Sequence, residues 1–261
     1  MSKQKAVFNW SGGKDSALAL YKIMQSKEFH IETLLTSINT ANQRISMHGV
    51  RLQLLERQAK MIGLPLTLLK LPEMPDMESY ENNMRATMQD LKDRGVSHSI
   101  FGDIFLEDLR KYREEKLAAI GLKATFPLWK FPTDLLIREF IDLGFKTIVT
   151  CVNDQYLDRS FCGRIIDHEF LNDLPWNVDP CGENGEFHTF VFEGPIFQAP
   201  IAIAKGEMVY KKYAPEREVS DKNSNSDEGQ TAANPFDNGF WYCDILPADR
   251  AGLQPDKLMK I

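Results

Sequence analysis

A short apolar run that breaks into two adjacent glycines and then into a helical pattern most constrains the fold of this chain. Residues 6–10 are mostly apolar, residues 11–16 read Ser-Gly-Gly-Lys-Asp-Ser, and a helical period of apolar residues begins at Ala17. This order predicts a strand, a tight glycine turn and the N-terminus of a helix. The first amides of such a helix have no acceptor within it, and the helix dipole adds partial positive charge there. We therefore predict that the loop binds phosphate.

The loop does not fit a Walker A motif, which reads Gly-x-x-x-x-Gly-Lys-Ser/Thr. Lys14 is followed by Asp15, and Phe8 stands where the motif needs its first glycine. The segment instead resembles the Ser-Gly-Gly-x-Asp-Ser signature of the PP-loop ATP pyrophosphatases, which split ATP between the α and β phosphates. The resemblance implies that the phosphates of ATP bind to Ser11, Gly12, Gly13, Lys14, Asp15 and Ser16.

Composition restricts the class of protein. The net charge of −6 and the pI near 5.5 argue against a broad nucleic-acid surface, which needs clustered Lys and Arg. The four cysteines form no Cys-x-x-Cys pair, and we expect reduced thiols rather than a zinc ribbon or disulfides. The chain shows neither a secretory signal nor an apolar run of the ~20 residues that a membrane span needs. We therefore expect a cytoplasmic protein that does not enter a membrane.

Strand and helix signals alternate along the first half of the chain. Apolar runs predict strands, and periods of 3.6 residues predict helices between them. The predicted strands are 6–10, 31–38, 66–71 and 99–104, and the predicted helices follow residue 16 and cover 49–62, 77–94 and 110–120. Such alternation predicts an α/β fold, with a parallel sheet covered by helices on both faces. Ligands bind such sheets at the carboxyl ends of the strands, where residues 11–16, residues 39–49 and the segment after Ile104 would lie.

The pattern changes after residue 126, where a smaller α/β subdomain is expected. Its predicted elements are a helix at 134–143, a strand at 146–152 and a helix at 167–174. Residues 215–239 are polar and indicate a linker, and the apolar run at 240–246 indicates an edge strand that packs back on the protein. The predicted division of the chain is an ATP-binding domain at 1–126, an acceptor-binding subdomain at 127–213, a flexible linker at 214–239 and a C-terminal segment at 240–261.

A second dense motif occupies residues 179–190, which read Asp-Pro-Cys-Gly-Glu-Asn-Gly-Glu-Phe-His-Thr-Phe. The glycines permit a tight loop, so that Glu183, Glu186 and His188 could share one cleft. Carboxylates there could hold Mg²⁺, accept a proton from an amine or orient an ammonium ion. The spacing alone favours a hairpin turn that carries solvated charges over such a site.

The two motifs together resemble the diphthine–ammonia ligase family of PP-loop enzymes, also called the ATP-binding domain 4 group. The family carries Gly-Glu-x-Gly-Glu-Phe/Tyr-x-Thr in its C-terminal half, which matches residues 182–189. Gly-Asp-Ile at 102–104 and Gly-Leu…Pro-Leu-Trp at 121–129 add to the resemblance, which covers about residues 5–210. It implies an adenine nucleotide alpha-hydrolase-like, Rossmann-like fold.

The family's reaction implies roles for individual residues. ATP adenylates a carboxylate, ammonia or ammonium displaces AMP, and an amide results, with Mg²⁺ on the phosphates. Candidate catalytic residues are Lys14, Asp15, Asp103, Glu183 and Glu186. Asn39 and His48 are candidates for the adenine side, and Asp15 and Asp103 for Mg²⁺. The acceptor would bind to Gly182, Glu183, Gly185, Glu186, His188 and Thr189.

At two positions, 184 and 188, the loop departs from the pattern of ligases that act on diphthine. They read Glu-Gly-Gly-Glu-x-Glu where this chain reads Glu-Asn-Gly-Glu-Phe-His at 183–188, so that His188 replaces an acidic residue. The variant resembles a bacterial branch of the family, whereas diphthamide belongs to archaeal and eukaryotic elongation factor 2. The acceptor is therefore open between diphthine and a small molecule of the cobalamin-salvage type.

Two other functions stay open at this point. One is a different PP-loop enzyme, such as a tRNA-modifying adenylase, against which the acidic pI and the lack of paired cysteines argue. The other is a sensor that binds ATP without turning it over, against which the presence of Lys14, Asp15 and the two glutamates argues. The sequence leaves the oligomeric state open, a homodimer included.

Overall fold

The computed structural model describes residues 3–45, 49–72, 77–213 and 238–248. Within them, no helix has both the length and the apolar character that crossing a membrane requires. The elements form two sheets, the first built from the N-terminal half of the chain and the second from the C-terminal half.

The first sheet is mainly parallel. Its strands are β1 (Gln4–Asn9), β2 (Phe29–Asn39), β3 (Arg44–Ile45), β4 (Leu66–Leu71), β5 (His98–Ile100) and β6 (Lys123–Thr125). The connecting helices are α1 (Lys14–Ser26), α2 (Leu52–Ile62), α3 (Met77–Asp93) and α4 (Glu107–Ala118). Strand β1 pairs in parallel with β2 on one side and with β5 on the other, while β4 extends the sheet beyond β2 and β6 extends it beyond β5. Only the short β3 is antiparallel, and it pairs with the end of β2.

This strand order creates a switch point at β1. The chain passes from β1 to β2 in one direction and returns to β5 on the opposite side. At such a point the loops at the carboxyl ends diverge and leave a crevice, which is where open α/β sheets bind ligands. The loop after β1 and the loop after β5 border this crevice.

The second sheet is antiparallel and lies against the first. Its elements are α5 (Thr133–Asp142), β7 (Lys146–Asn153), a 3₁₀ turn (Arg159–Phe161), α6 (His168–Asp173), β8 (Phe187–Glu193), β9 (Ile203–Tyr213) and β10 (Asn238–Pro247). The strand order is β8-β7-β10-β9. One cluster of buried side chains includes Phe8 and Leu20 from the first half with Phe140 and Phe190 from the second, so the two halves share a core.

A second cluster covers the other face of the parallel sheet. Alternation along β1 sends Ala6 and Phe8 into the shared core and Val7 into this cluster, where α3 contributes Met88 and Leu91. The predicted α/β fold, a parallel sheet with helices on both faces and a smaller second sheet, is confirmed.

The structure corrects the predicted position of one strand and does not test the predicted domain boundaries. The apolar run at 240–246 lies in β10, which pairs with both β7 and β9 and is an interior strand rather than the predicted edge strand. The prediction was wrong because an apolar run does not reveal how many neighbouring strands a strand pairs with. Residues 214–237 and 249–261 lie outside the described residues. The domain boundaries and the linker stay predictions.

Candidate active site

The loop between β1 and α1 has the strand–turn–helix geometry that its sequence predicts. Gly12 has a φ of +79°, and Gly13 is the N-cap of α1. No side chain within α1 caps the helix, whose first turn contains Asp15. The Ser11 and Ser16 hydroxyl oxygens lie 3.1 Å apart, and the Ser16 hydroxyl donates to the Gly13 carbonyl at 2.9 Å. Hydroxyl and amide donors therefore gather at this helix N-terminus.

Lys14 is a buried cation at the start of α1. It is 4% exposed, its Nζ lies 2.8 Å from Asp15 Oδ2, and it stands 5.3 Å from the centre of the Phe187 ring. Burial acts to lower the pKa of Lys14, but Asp15 and Glu183 outweigh it and the pKa is raised. Lys14 therefore stays charged within the cleft.

The second motif forms a loop that leads into β8, and the Glu186 carboxylate organises it. Glu186 is fully buried and accepts hydrogen bonds from the backbone N–H of Asp179 and from the backbone and side-chain N–H groups of Asn184, at 2.8–3.0 Å. Gly182 has a φ of +67°, and a Cβ there would lie 3.0 Å from the Phe187 carbonyl oxygen. This tight turn places Glu183 and Thr189 towards the loop of the first motif.

The two motifs meet directly. The Lys14 backbone N–H donates to Thr189 Oγ1 at 3.0 Å, and the Val191 N–H donates to the Gly12 carbonyl at 2.9 Å. A Cβ on Gly13 would lie 3.2 Å from the Thr189 carbonyl oxygen, so the close approach favours glycine there. Segments 175 residues apart in the chain thus form one hydrogen-bonded unit at the switch point.

The segment after β5 forms the third side of the crevice. A Cβ on Gly102 would lie 3.0 Å from the Ser16 backbone nitrogen, which shows how closely this segment packs on the start of α1. Asp103 follows and forms an ion pair with Arg113 of α4. Burial is the largest influence on the pKa of Asp103 and raises it, with Arg113 opposing and Asp15 adding to the rise.

Glu183 lies within this group of charges. Burial raises its pKa to about 8, and the charges of Asp15 and Asp103 add to the rise, whereas Lys14 lowers it. The pKa of Asp15 is also raised, by burial first, although Lys14 acts to lower it. A carboxyl that titrates near neutral pH in a cleft is typical of a group that exchanges protons in a reaction.

Asp15 and Asp103 have the donor chemistry that Mg²⁺ prefers. Burial is the largest cause of the raised pKa of both carboxyls, and the charge of Asp15 adds to the rise in the pKa of Asp103. Mg²⁺ is commonly bound by one or two carboxylates together with substrate phosphates. The two residues therefore have the chemistry of the predicted metal role, although no group of three or more His, Cys, Asp or Glu among the described residues is arranged to hold a metal ion by itself.

Four other residues were predicted to belong to the site: Asn39, His188, Gly185 and His48. Asn39 ends β2, and its side-chain Oδ1 accepts a hydrogen bond from the Ala41 N–H at 2.8 Å. His188 is half-buried in β8, paired with Cys151 of β7. Gly185 has a φ of +83° and lies in the turn before β8. His48 lies outside the described residues.

Sequence reasoning missed Gln58 of α2. It is completely buried, and its amide bonds to Trp10, Gly12 and Val191. A signal was present, because the helical period of Leu54, Leu55 and Ile62 puts position 58 on the buried face of α2. A polar side chain at such a position must find partners inside the protein.

The matches to family models agree with this architecture. Residues 4–124 match the diphthamide synthase N-terminal domain, and residues 132–219 match the diphthamide synthase C-terminal domain. The chain belongs to the diphthamide synthase family. The first match contains the loop at 11–16 and the second contains the loop at 182–189, whereas β10 lies beyond both.

Curated relatives of this family resemble shorter stretches. Human diphthine–ammonia ligase is 26% identical over 125 residues, which cover 46% of this chain and 47% of that protein. The enzyme of Danio rerio is 29% identical over 113 residues, covering 40% and 43%. That of Schizosaccharomyces pombe is 28% identical over 94 residues, covering 34% and 16%. The matched stretch thus spans less than half the length of each relative.

Proposed function

We propose that this protein is an ATP-dependent, AMP-forming amide ligase that adenylates a carboxylate and then amidates it with ammonia. The observation that carries the proposal is the direct contact between the two motifs, in which Thr189 accepts a hydrogen bond from the first amide of α1. A phosphate site and a group of titratable carboxylates thereby share one crevice. The names of the curated relatives, each a diphthine–ammonia ligase, support the same reaction class.

The first step needs a cradle for the leaving pyrophosphate. The acceptor carboxylate attacks the α phosphorus of ATP, the α–β phosphoanhydride bond breaks, and pyrophosphate leaves. The loop amides, the hydroxyl groups of Ser11 and Ser16 and the Lys14 ammonium are positioned to stabilise its negative charge. Asp15 and Asp103 would hold Mg²⁺, which supplies further positive charge to the phosphates.

The second step needs a proton acceptor. Ammonia attacks the carbonyl carbon of the acyl adenylate, AMP leaves, and the new amide nitrogen loses a proton. Glu183, with its pKa raised to about 8, can accept that proton or deprotonate an arriving ammonium ion. Glu186 holds the loop that presents Glu183, because its carboxylate is already bound by three N–H groups.

The acceptor is proposed to be either diphthine or a small carboxylate of the cobalamin-salvage type. His188 of β8 replaces the acidic residue of the diphthine pattern and brings an imidazole to the acceptor side. The four buried free cysteines fit a reducing, cytoplasmic location for the reaction.

The test is to follow [α-³²P]ATP in the presence of Mg²⁺, ammonium and a panel of carboxylate acceptors, including diphthine-bearing elongation factor 2 and corrinoid carboxylates. We expect AMP and an equal amount of pyrophosphate, with net amide formation only when ammonium and one acceptor are both present. Formation of ADP, or absence of AMP with every acceptor, would contradict the proposal.

A pair of lysines in α1 supplies the matched variants for this assay. Lys14→Met removes the buried cation of the loop and should abolish AMP formation. Lys22→Met removes a cation from the same helix that pairs with Glu139 at 2.6 Å, outside the crevice, and should leave activity unchanged. Equal activity of the two variants would remove the loop from the mechanism.

A further inference from the structure

The peptide group between Gly12 and Gly13 is held in one orientation by two donors. The Gly12 carbonyl accepts from the Val191 N–H at 2.9 Å and from Gln58 Nε2 at 3.0 Å. In a trans peptide the C=O and the following N–H point in opposite directions. Two donors that hold this carbonyl toward β8 and α2 therefore turn the Gly13 N–H toward the other side, where it donates to Ser11 Oγ at 3.3 Å.

Hydrogen bonds also fix the Gln58 side chain that contacts the Gly12 carbonyl. Its Nε2 also donates to the Val191 carbonyl at 2.6 Å, and its Oε1 accepts from the Trp10 indole N–H at 2.9 Å. The indole can only donate, which determines which end of the Gln58 amide is oxygen. Because Gln58 is completely buried, its polar atoms have no access to water that could replace these partners.

The glycine at position 12 makes this contact possible. A Cβ on Gly12 would lie 2.7 Å from Gln58 Oε1 and 2.8 Å from Leu55 Cδ2, and the φ of +79° is itself unfavourable for other residues. The loop and α2 are therefore fitted to each other.

We propose that Gln58 is a positioning residue for the pyrophosphate portion of a nucleoside triphosphate. It holds the Gly12 carbonyl inward and thereby keeps the Gly13 N–H on the side of the Ser11 hydroxyl, where the N–H can exchange its bond to Ser11 Oγ for one to a phosphate oxygen. This inference rests on the proposed function of the loop. It adds a residue of α2, outside both motifs, to the machinery of the site.

The test measures the affinity of the full chain for inorganic pyrophosphate by calorimetry, together with the melting temperature. Gln58→Met keeps the side chain's approximate volume and removes both donors, and we expect about a tenfold or larger loss of affinity. Leu54→Val is the matched control, because Leu54 is a completely buried residue of the same helix with no polar atom. It should lower the melting temperature and leave the affinity unchanged.

Gln58→Glu adds a readout that a purely structural role would not produce. A protonated carboxyl can still donate one hydrogen bond to the Gly12 carbonyl, whereas a carboxylate can donate none and faces two carbonyl oxygens. The affinity of this variant relative to the wild type should therefore fall as the pH rises.

Three results would overturn the inference. They are affinity of Gln58→Met within twofold of the wild type, an equal loss in Leu54→Val, or a pH-independent ratio for Gln58→Glu. If the wild type bound neither pyrophosphate nor ATP, the proposed function itself would fail. If the wild type bound them and Gln58→Met bound equally well, only the inference about Gln58 would fail.

Discussion

Glu183 and Glu186 lie three positions apart in one loop, yet their carboxyl groups have different surroundings and therefore different chemical properties. The Glu186 carboxylate accepts three N–H hydrogen bonds from its own loop and is completely buried. Glu183 instead faces the charges of Asp15, Asp103 and Lys14, and its pKa is raised to about 8. One glutamate therefore stabilises the loop, while the other is available to exchange a proton.

The raised pKa of Glu183 makes stability depend on pH. A carboxyl with a higher pKa in the folded than in the unfolded chain binds its proton more tightly when folded, so its titration lowers stability as the pH rises from about 4 to about 8. We expect Glu183→Gln to reduce the fall in melting temperature between about pH 5 and about pH 8.5. Identical pH slopes for wild type and variant would show that Glu183 does not titrate in this range.

At the scale of single elements, α1 depends on a side chain from another sheet. None of its own side chains caps the helix, and Thr189 of β8 accepts the Lys14 N–H instead. The start of α1 is thus fixed by a strand that belongs to the acceptor-side motif. The proposed binding of phosphate would therefore be coupled to the position of the second loop through this contact.

Thr189 variants measure that coupling. Thr189→Val keeps the shape of the side chain but removes the acceptor oxygen, and should lower the free energy of unfolding by about 1 kcal/mol, as loss of a helix cap does. Thr189→Ser keeps the oxygen and should retain most of the stability and the pyrophosphate affinity. Urea unfolding of both variants tests this, and a larger loss in Thr189→Ser than in Thr189→Val would mean that the methyl group, not the hydroxyl, stabilises this contact.

The elements of the first half were largely predictable from local patterns. The strand at 66–71 has the bounds predicted, whereas the strand predicted at 99–104 ends at Ile100, because Gly102 packs on α1 and the chain turns into the crevice. The short strands β3 and β6 were missed, because two or three residues are too few to show an alternation of apolar and polar residues. The interior position of β10 depends on pairing with distant strands, which a local pattern does not encode.

The candidate site was predictable as two motifs but not as one arrangement. Residue types and spacing pointed to the loop at 11–16 and to the glutamates, since phosphate and proton chemistry demand them. The different properties of Glu183 and Glu186 depend on which donors and charges surround each carboxyl. The role of Gln58 depends on a face of α2 that contacts the loop. These contacts join distant segments, so the sequence does not predict which groups meet, although the helical period of α2 does mark position 58 as buried.

At the scale of the whole molecule, β10 joins the two sheets. Asp244 of β10 accepts from Arg51 at 2.6 Å and from Arg44 at 2.9 Å, on either side of the β3–α2 connection. Burial acts to raise the pKa of Asp244, but the hydrogen bonds from the two arginines outweigh it and the pKa is lowered. Strand β10 thus holds part of the first sheet in place.

Asp244→Asn should weaken this junction. Losing charge-assisted hydrogen bonds should cost roughly 1–3 kcal/mol near neutral pH. Because the folded pKa is lowered, the wild-type advantage is present above the ordinary pKa of about 4 and is lost as the pH falls below it. Denaturant unfolding at several pH values tests this, with Glu139→Gln, which breaks the Lys22–Glu139 surface pair, as control. A stability gap that persisted in acid would contradict the assignment to the Asp244 charge.

We propose that two motifs far apart in the chain form one nucleotide site at the switch point of the parallel sheet. Backbone hydrogen exchange of the wild type, measured by mass spectrometry with and without Mg-ATP, tests it most directly. We expect slower exchange on ligand binding in both segments, residues 11–16 and residues 182–189, and an unchanged rate in α6. Protection of the first segment alone, or of neither, would contradict it.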